Sequence, residues 1–261
     1  MRVQISLPAI YYYTKIYSLG GIGRHGRLKI YSILIGIGSS PIANNLLLLF
    51  YKKIMNLITV KLTTSQLVNS GIYIGHNRWT FNTKIKPYLM GYKHSFNIIN
   101  LYYTGLQLKI IIAFLLKLVI SRQNILIVNT NDYKFEQFFG GLRNIFCFDD
   151  KWIGGLLTNF KVIKQSDKLK SKNSFDLMNF MPSIVILFDT SYSKWALFES
   201  KNMGIPISAV LDTDSPFVDF VNYPIIGNNK SFESLYFYSC FFRNAIYKGI
   251  KKECLDVLKI S

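Results

Sequence analysis

At 261 residues, half of them apolar and with twenty Phe and seventeen Tyr, the chain has enough surface to bury for one or two folded domains, which excludes whole-chain disorder. Its formal charge of +17 is split unevenly. Residues 1–131 hold fifteen lysines and arginines and no acid, whereas residues 132–261 hold sixteen basic and fourteen acidic side chains, so the halves carry +15 and +2. An unbalanced positive surface repels itself, which makes a polyanion the expected partner, nucleic acid first and an anionic membrane surface second.

Residues 1 to about 60 form an N-terminal extension without a clean helical or strand period. Three accounts of it compete: an organellar presequence, a flexible RNA-contacting extension, or upstream sequence translated from a misplaced start with Met55 as initiator. The last two are favoured. Gly21-Ile22-Gly23-Arg24-His25-Gly26 has the letters of a dinucleotide-binding turn but no acidic residue about 20 positions on, so a basic Gly-rich segment is expected instead. The uncharged run from Ile30 to Tyr51 carries Ser39, Ser40, Pro41, Asn44 and Asn45 at its centre, which argues against membrane insertion.

From Thr63 the signals sharpen. Thr63, Thr64 and Ser65 offer caps for a short helix through Asn69, ended by Gly71. Phe96 to Leu101 reads as a strand, and Thr104 to Arg122 as a buried amphipathic helix whose apolar run, Leu106 to Ile120, is too short and too charged to span a bilayer. Apolar runs at 125–128, 145–148, 184–188, 207–211 and 225–226 are expected to be buried parallel strands, with helices at 132–139, 193–203 and 230–252 between and after them. Alternation of this kind predicts an α/β domain over 61–252, a mostly parallel sheet with helices on both faces, followed by a tail at 253–261. Gly204 suits a left-handed helix cap, and Pro206 aims the following strand.

Cys147, Cys240 and Cys254 have no C-x-x-C spacing, so buried thiols are expected rather than disulfides or a zinc knuckle. His25, His76 and His94 lie in the half without acids, so neither a metal nor a cofactor is expected, and His76 reads as a hydrogen-bonded turn residue. No nucleophile elbow is present. Asp189, Asp212 and Asp214 fall at strand ends, where α/β enzymes keep their sites, yet without a phosphate loop they read as caps and turns.

The segment from Gly71 to Gly91 interleaves cations, aromatics and glycines: Arg78, Trp79, Phe81, Lys84, Lys86 and Tyr88. Cations neutralise phosphates and aromatic rings stack on exposed bases. Its spacing resembles G-V-H-F-G-H followed by N-P-K-M-K-P, the signature of the small-subunit ribosomal protein "S two" family. Six further stretches match in the family's order. Asn97 to Leu101 resembles H-I-I-D/N-L, and Lys151 to Phe160 resembles R-W-L-G-G-x-L-T-N-F/W. Met181 to Asp189 resembles the L-P-D strand, and Glu199 to Pro206 resembles E-A-x-x-L-G-I-P. Asp212 to Pro216 resembles D-T-N-x-D-P, and Tyr223 to Asn228 resembles Y/F-x-I-P-G-N. The resemblance covers about Thr63 to Lys248.

The resemblance implies a non-catalytic ribosomal protein, docked on small-subunit ribosomal RNA and on neighbouring ribosomal proteins, with no small-molecule substrate. Arg78, Lys84, Lys86 and Lys93 are then the expected phosphate contacts, Trp79 and Tyr88 the stacking rings, and Lys151 and Lys161 secondary contacts. Trp152 and Phe160 are expected in the core, with Gly154 and Gly155 permitting close backbone packing. The family's Arg-Trp pair gives way to Trp79 and Phe81, with Arg78 one place displaced, and its Pro becomes Thr83. Only Lys161 to Phe180 spans the gap where bacterial members carry a helical hairpin, which is therefore expected to be reduced or absent. That shortening, with a composition rich in Ile, Asn, Lys, Phe and Tyr, points to an organelle-encoded protein of the mitochondrial matrix ribosome. The rival expectations are an α/β enzyme acting on a nucleotide or phosphorylated substrate through Asp189 and Asp212, and a peripheral membrane protein held by residues 30–51.

Overall fold

A computed structural model describes residues 62–129, 135–165 and 181–258. The extension and the uncharged run lie outside the described residues, as does most of the Lys161 to Phe180 gap expected to lack a helical hairpin. Helix α1 (Thr64–Asn69) starts as its caps predict. Thr63 accepts from the Gln66 amide while the Gln66 side chain accepts from the Thr63 amide. Then come β1 (Ile74–Asn77), β2 (Leu89–Lys93) and β3 (Phe96–Ile99), an antiparallel sheet in the order β1-β3-β2. Only β3 was expected. Helix α2 (Leu101–Ile120) begins earlier than predicted because Asn100 caps it, its side chain accepting from the Tyr102 amide at 3.1 Å.

The remaining elements are β4 (Ile125–Val128), α3 (Glu136–Phe139), β5 (Ile145–Phe148), α4 (Phe160–Gln165), β6 (Ile184–Leu187), α5 (Lys194–Asn202), β7 (Ile207–Leu211), β8 (Tyr223–Ile226) and α6 (Phe232–Leu258), strand and helix alternating except between β7 and β8, which a 3₁₀ turn (Val218–Phe220) joins. The five strands are parallel in the order β5-β4-β6-β7-β8, a doubly wound sheet of the flavodoxin type. Helix α6 continues through residues expected to form a tail. Gly204 takes a φ of +70°, closing α5 as predicted.

Successive strand residues point to opposite faces, so each apolar run feeds two cores. Ile125, Ile127, Ile184, Ile186 and Ile225 face α2, α3 and α6, together with Leu108, Ile111, Phe139, Tyr238 and Phe242. Leu126, Val128, Val185, Leu187, Leu211 and Ile226 face the other way, onto α5, Trp152, Leu156, Leu157 and, from the antiparallel sheet, Ile85 and Ile99. Helix α2 has the length and hydropathy of a membrane span, contrary to the expectation that its apolar run is too short. Within this fold it is a core helix. Leu108, Ile111, Ile112 and Leu115 are buried, and its polar residues close the open edge of β8, where Thr104 donates to the Ile226 carbonyl at 2.6 Å and Gln107 accepts from the Ile226 amide at 2.8 Å.

Trp152 is buried as expected and Phe160 is half-buried against the same core. The explanation from Gly154 fails, since a side chain there would meet open space; Gly155 is the constrained one, at φ +88°. The clasp on this segment is Glu199, a buried carboxylate on α5. Its Oε1 accepts from Trp152 Nε1 at 3.1 Å and the Gly155 amide at 2.7 Å, and its Oε2 accepts from the Leu157 and Thr158 amides at 2.9 and 3.4 Å. Cys147 is a buried thiol and Cys240 a half-buried one.

Candidate nucleic-acid interface

The antiparallel sheet and the two 3₁₀ turns between β1 and β2 hold most of the cations and rings singled out in the sequence. Arg78 opens a 3₁₀ turn whose start is fixed by the Asn77 side chain accepting from the Trp79 amide at 3.2 Å. Its guanidinium lies 3.7 Å from the Tyr92 ring centroid and 5.5 Å from that of Trp79. Trp79 is 82 % exposed, and Met90, Tyr92 and Phe96 stand out from the same sheet. Tyr92 was not anticipated. Its signal was present in the alternation Met90, Tyr92 of an exposed strand, obscured by the bulge between Leu89 and Gly91.

Lys86 and Lys93 project freely as exposed side chains, Lys86 from a second 3₁₀ turn (Thr83–Tyr88) and Lys93 from the end of β2. Lys84 departs from the picture of a half without internal counterions, since it forms an exposed ion pair with Asp219. Exposed pairs contribute little to stability, so breaking this one would cost little. Tyr88 is turned toward the core, packed beside Ile85 and edge-to-face on Tyr103 at 5.6 Å, and is not an open stacking platform. Lys151 and Lys161 are exposed beyond β5 and on α4.

What aims this surface is a set of bonds to the carboxyl ends of β7 and β8. The His76 amide donates to Asp212 Oδ1 at 3.1 Å and to Thr213 Oγ1 at 2.8 Å. Asn82 donates from its amide to the Thr213 carbonyl at 2.7 Å and from its side chain to the Ser215 carbonyl at 2.9 Å. Asn228 donates to the carbonyls of Ile72 and Gly71. A side chain at Gly75 would collide with Thr213, which explains the glycine there. The segment from Gly71 to Lys93 is thus divided: Gly71, Gly75, His76 and Asn82 fasten the sheet, while Arg78, Trp79, Lys86 and Lys93, four of the residues expected to contact RNA, are on its exposed side.

His76 lies in β1 rather than in a turn, and the carboxylates missing from its half arrive from the other. Its Nε2 is 3.8 Å from Asp214 Oδ2. Asp212 is 2 % exposed, and burial, reinforced by Asp214, pushes its carboxyl up to about 6 against the pull of the Thr213 and His76 amides. Asp189 serves the turn after β6, accepting from the Ser191 amide at 2.8 Å.

A family model described as Ribosomal protein S2 matches residues 67–179 and 167–249, thereby spanning both the antiparallel sheet and the doubly wound domain. The chain belongs to the ribosomal protein S2 family. Among its relatives, the small ribosomal subunit protein uS2 of Shewanella halifaxensis (strain HAW-EB4) is 27 % identical over 208 residues, covering 67 % of this chain and 86 % of the relative. The protein of the same name from Shewanella sediminis (strain HAW-EB3) is 27 % identical over 207 residues, with 66 % and 85 % covered. The family's first block corresponds to β1 and the two 3₁₀ turns. Its E-A-x-x-L-G-I-P stretch begins with the Glu199 carboxylate that clasps the W-x-G-G-x-L-T-N stretch.

Proposed function

We propose that this protein is a non-enzymatic constituent of the small subunit of a mitochondrial ribosome, holding ribosomal RNA on the outward face of its antiparallel sheet and neighbouring ribosomal proteins on its α/β domain. The observation that carries the RNA reading is the cation–ring cluster of Arg78, Trp79 and Tyr92, flanked by Lys86 and Lys93. Guanidinium and lysine charges meet phosphates, and the exposed indole offers a stacking face, a combination suited to irregular single-stranded or looped RNA. Lys84 joins them by leaving Asp219 for a phosphate, with Lys151 and Lys161 as outlying contacts and Tyr88 supporting the sheet from beneath. The mitochondrial assignment is supported by the composition rich in Ile, Asn, Lys, Phe and Tyr and by the short gap between α4 and β6.

The test is sedimentation of organelle lysate on gradients at dissociating magnesium concentrations, followed by salt washing. The protein is expected to travel with the small subunit, inside matrix-protected fractions, and to leave it as salt is raised. Migration with the large subunit or with soluble protein refutes the assignment, and recovery from the cytosolic ribosome refutes its mitochondrial part.

A further inference from the structure

The carboxyl end of β7 gathers surplus oxygen. One donor atom from each of His76, Asp212 and Asp214 lies within 4.8 Å of the other two. Asp212 Oδ1 is occupied by the His76 and Thr213 amides, which leaves Oδ2 without a hydrogen bond among the described residues. Among the described residues, buried oxygens that follow the neighbouring strands β6 and β8, Asp189 Oδ2 and Asn229 Oδ1, and Tyr238 Oη on α6 lack hydrogen-bond partners, and the Thr190 and Ser215 hydroxyls meet at 3.2 Å. Tyr238 is fully buried on α6, near enough to Asp212 for the carboxylate's charge to reach its hydroxyl. Two neighbouring carboxylates and a set of unsatisfied oxygens, with a single imidazole beside them, form an environment that a dication would balance.

We propose that His76, Asp212 and Asp214 bind one Zn²⁺ ion, clasping the antiparallel sheet to the β7 loop. The donor set selects the metal. Ca²⁺ and Mg²⁺ take all-oxygen shells, whereas one imidazole with two carboxylates suits zinc, with water in the fourth position. Tetrahedral bonds of about 2.1 Å place neighbouring ligand atoms about 3.4 Å apart, so the present His76–Asp214 separation of 3.8 Å needs only a small side-chain adjustment. The half-exposed His76 and Asp214, at 42 % and 30 %, give the ion and its water a route in, while buried Asp212 supplies the fixed ligand. His76 stands two residues before Arg78, so the ion would fix the root of the cation–ring cluster.

Metal-stripped full-length protein is titrated with Zn²⁺ in equilibrium dialysis and thermal melts, with millimolar Mg²⁺ present throughout. One tightly held zinc per chain and a higher Tm are expected. H76Q and D214N should lower zinc affinity at least tenfold and abolish the Tm rise, while C147S and C240S leave both unchanged. Zinc retained at full affinity in H76Q and D214N, zinc lost in the cysteine variants, or no zinc bound by the parent overturns the proposal. Should the ligand variants fail to fold, Co²⁺ in the parent protein decides: visible bands of a four- or five-coordinate nitrogen and oxygen site support it, and a thiolate charge-transfer band, or no bands at all, overturns it.

Discussion

Glu199 gives the sharpest test of how the fold is held. Replacing it with Ala removes the acceptor of four donors, of which the Trp152 indole N–H and the Leu157 amide are buried; the Gly155 and Thr158 amides are nearer solvent. A buried donor left without a partner costs about 1–3 kcal/mol, so the two together predict a loss of about 4 kcal/mol. Against a total of about 5–15 kcal/mol for a domain, that brings unfolding close to working temperature. Glu199→Gln keeps one carbonyl oxygen for two of the four donors but turns its NH2 group, itself a donor, toward the other two, so it should lose at least half as much. Urea unfolding followed by Trp fluorescence measures both. An E199A protein within about 1 kcal/mol of the parent, a shift typical of an ordinary surface site or smaller, would refute the claim that this carboxylate organises the turn.

Three other outcomes are expected. Gly75→Ala should loosen the antiparallel sheet from the β7 loop, costing about 1–3 kcal/mol by overpacking against Thr213, seen as a lowered Tm and faster amide exchange at His76. Gly227→Ala places its methyl group against Tyr238 Oη and should destabilise by a similar amount, and the G227A/Y238F double variant should recover part of the loss because the obstructing atom has gone. In RNA binding, K86A/K93A should flatten the dependence of log K on log salt by about 1.4–1.8, if each lysine meets one phosphate, and Trp79→Ala should weaken affinity by about 1–3 kcal/mol with the slope unchanged, both measured by filter binding across a salt series.

The parallel sheet was legible because a strand buried on both faces is apolar almost throughout, and Ile125 to Val128 and Ile184 to Leu187 are short unbroken apolar runs bounded by polar turns. Strands β1 and β2 were not, because an exposed sheet needs no apolar alternation. Tyr92, Gly91 and Lys93 face water and read as loop. The antiparallel sheet's attachment was hidden for a different reason. His76 and Asp212 stand far apart in sequence, and a count of charges by halves separates two groups that the fold unites. Glu199 resembled any helix-surface acid until its four donors, all from one turn, were in place.

The same long separation has a consequence for how the molecule comes into being. The landing place for β1, at Thr213, is made 137 residues after the strand that lands on it. At chain-growth rates of about 5–20 residues per second, the basic aromatic sheet waits roughly 7–27 s for its anchor during synthesis. Through that interval its cations are exposed without the β7 loop that later orients them.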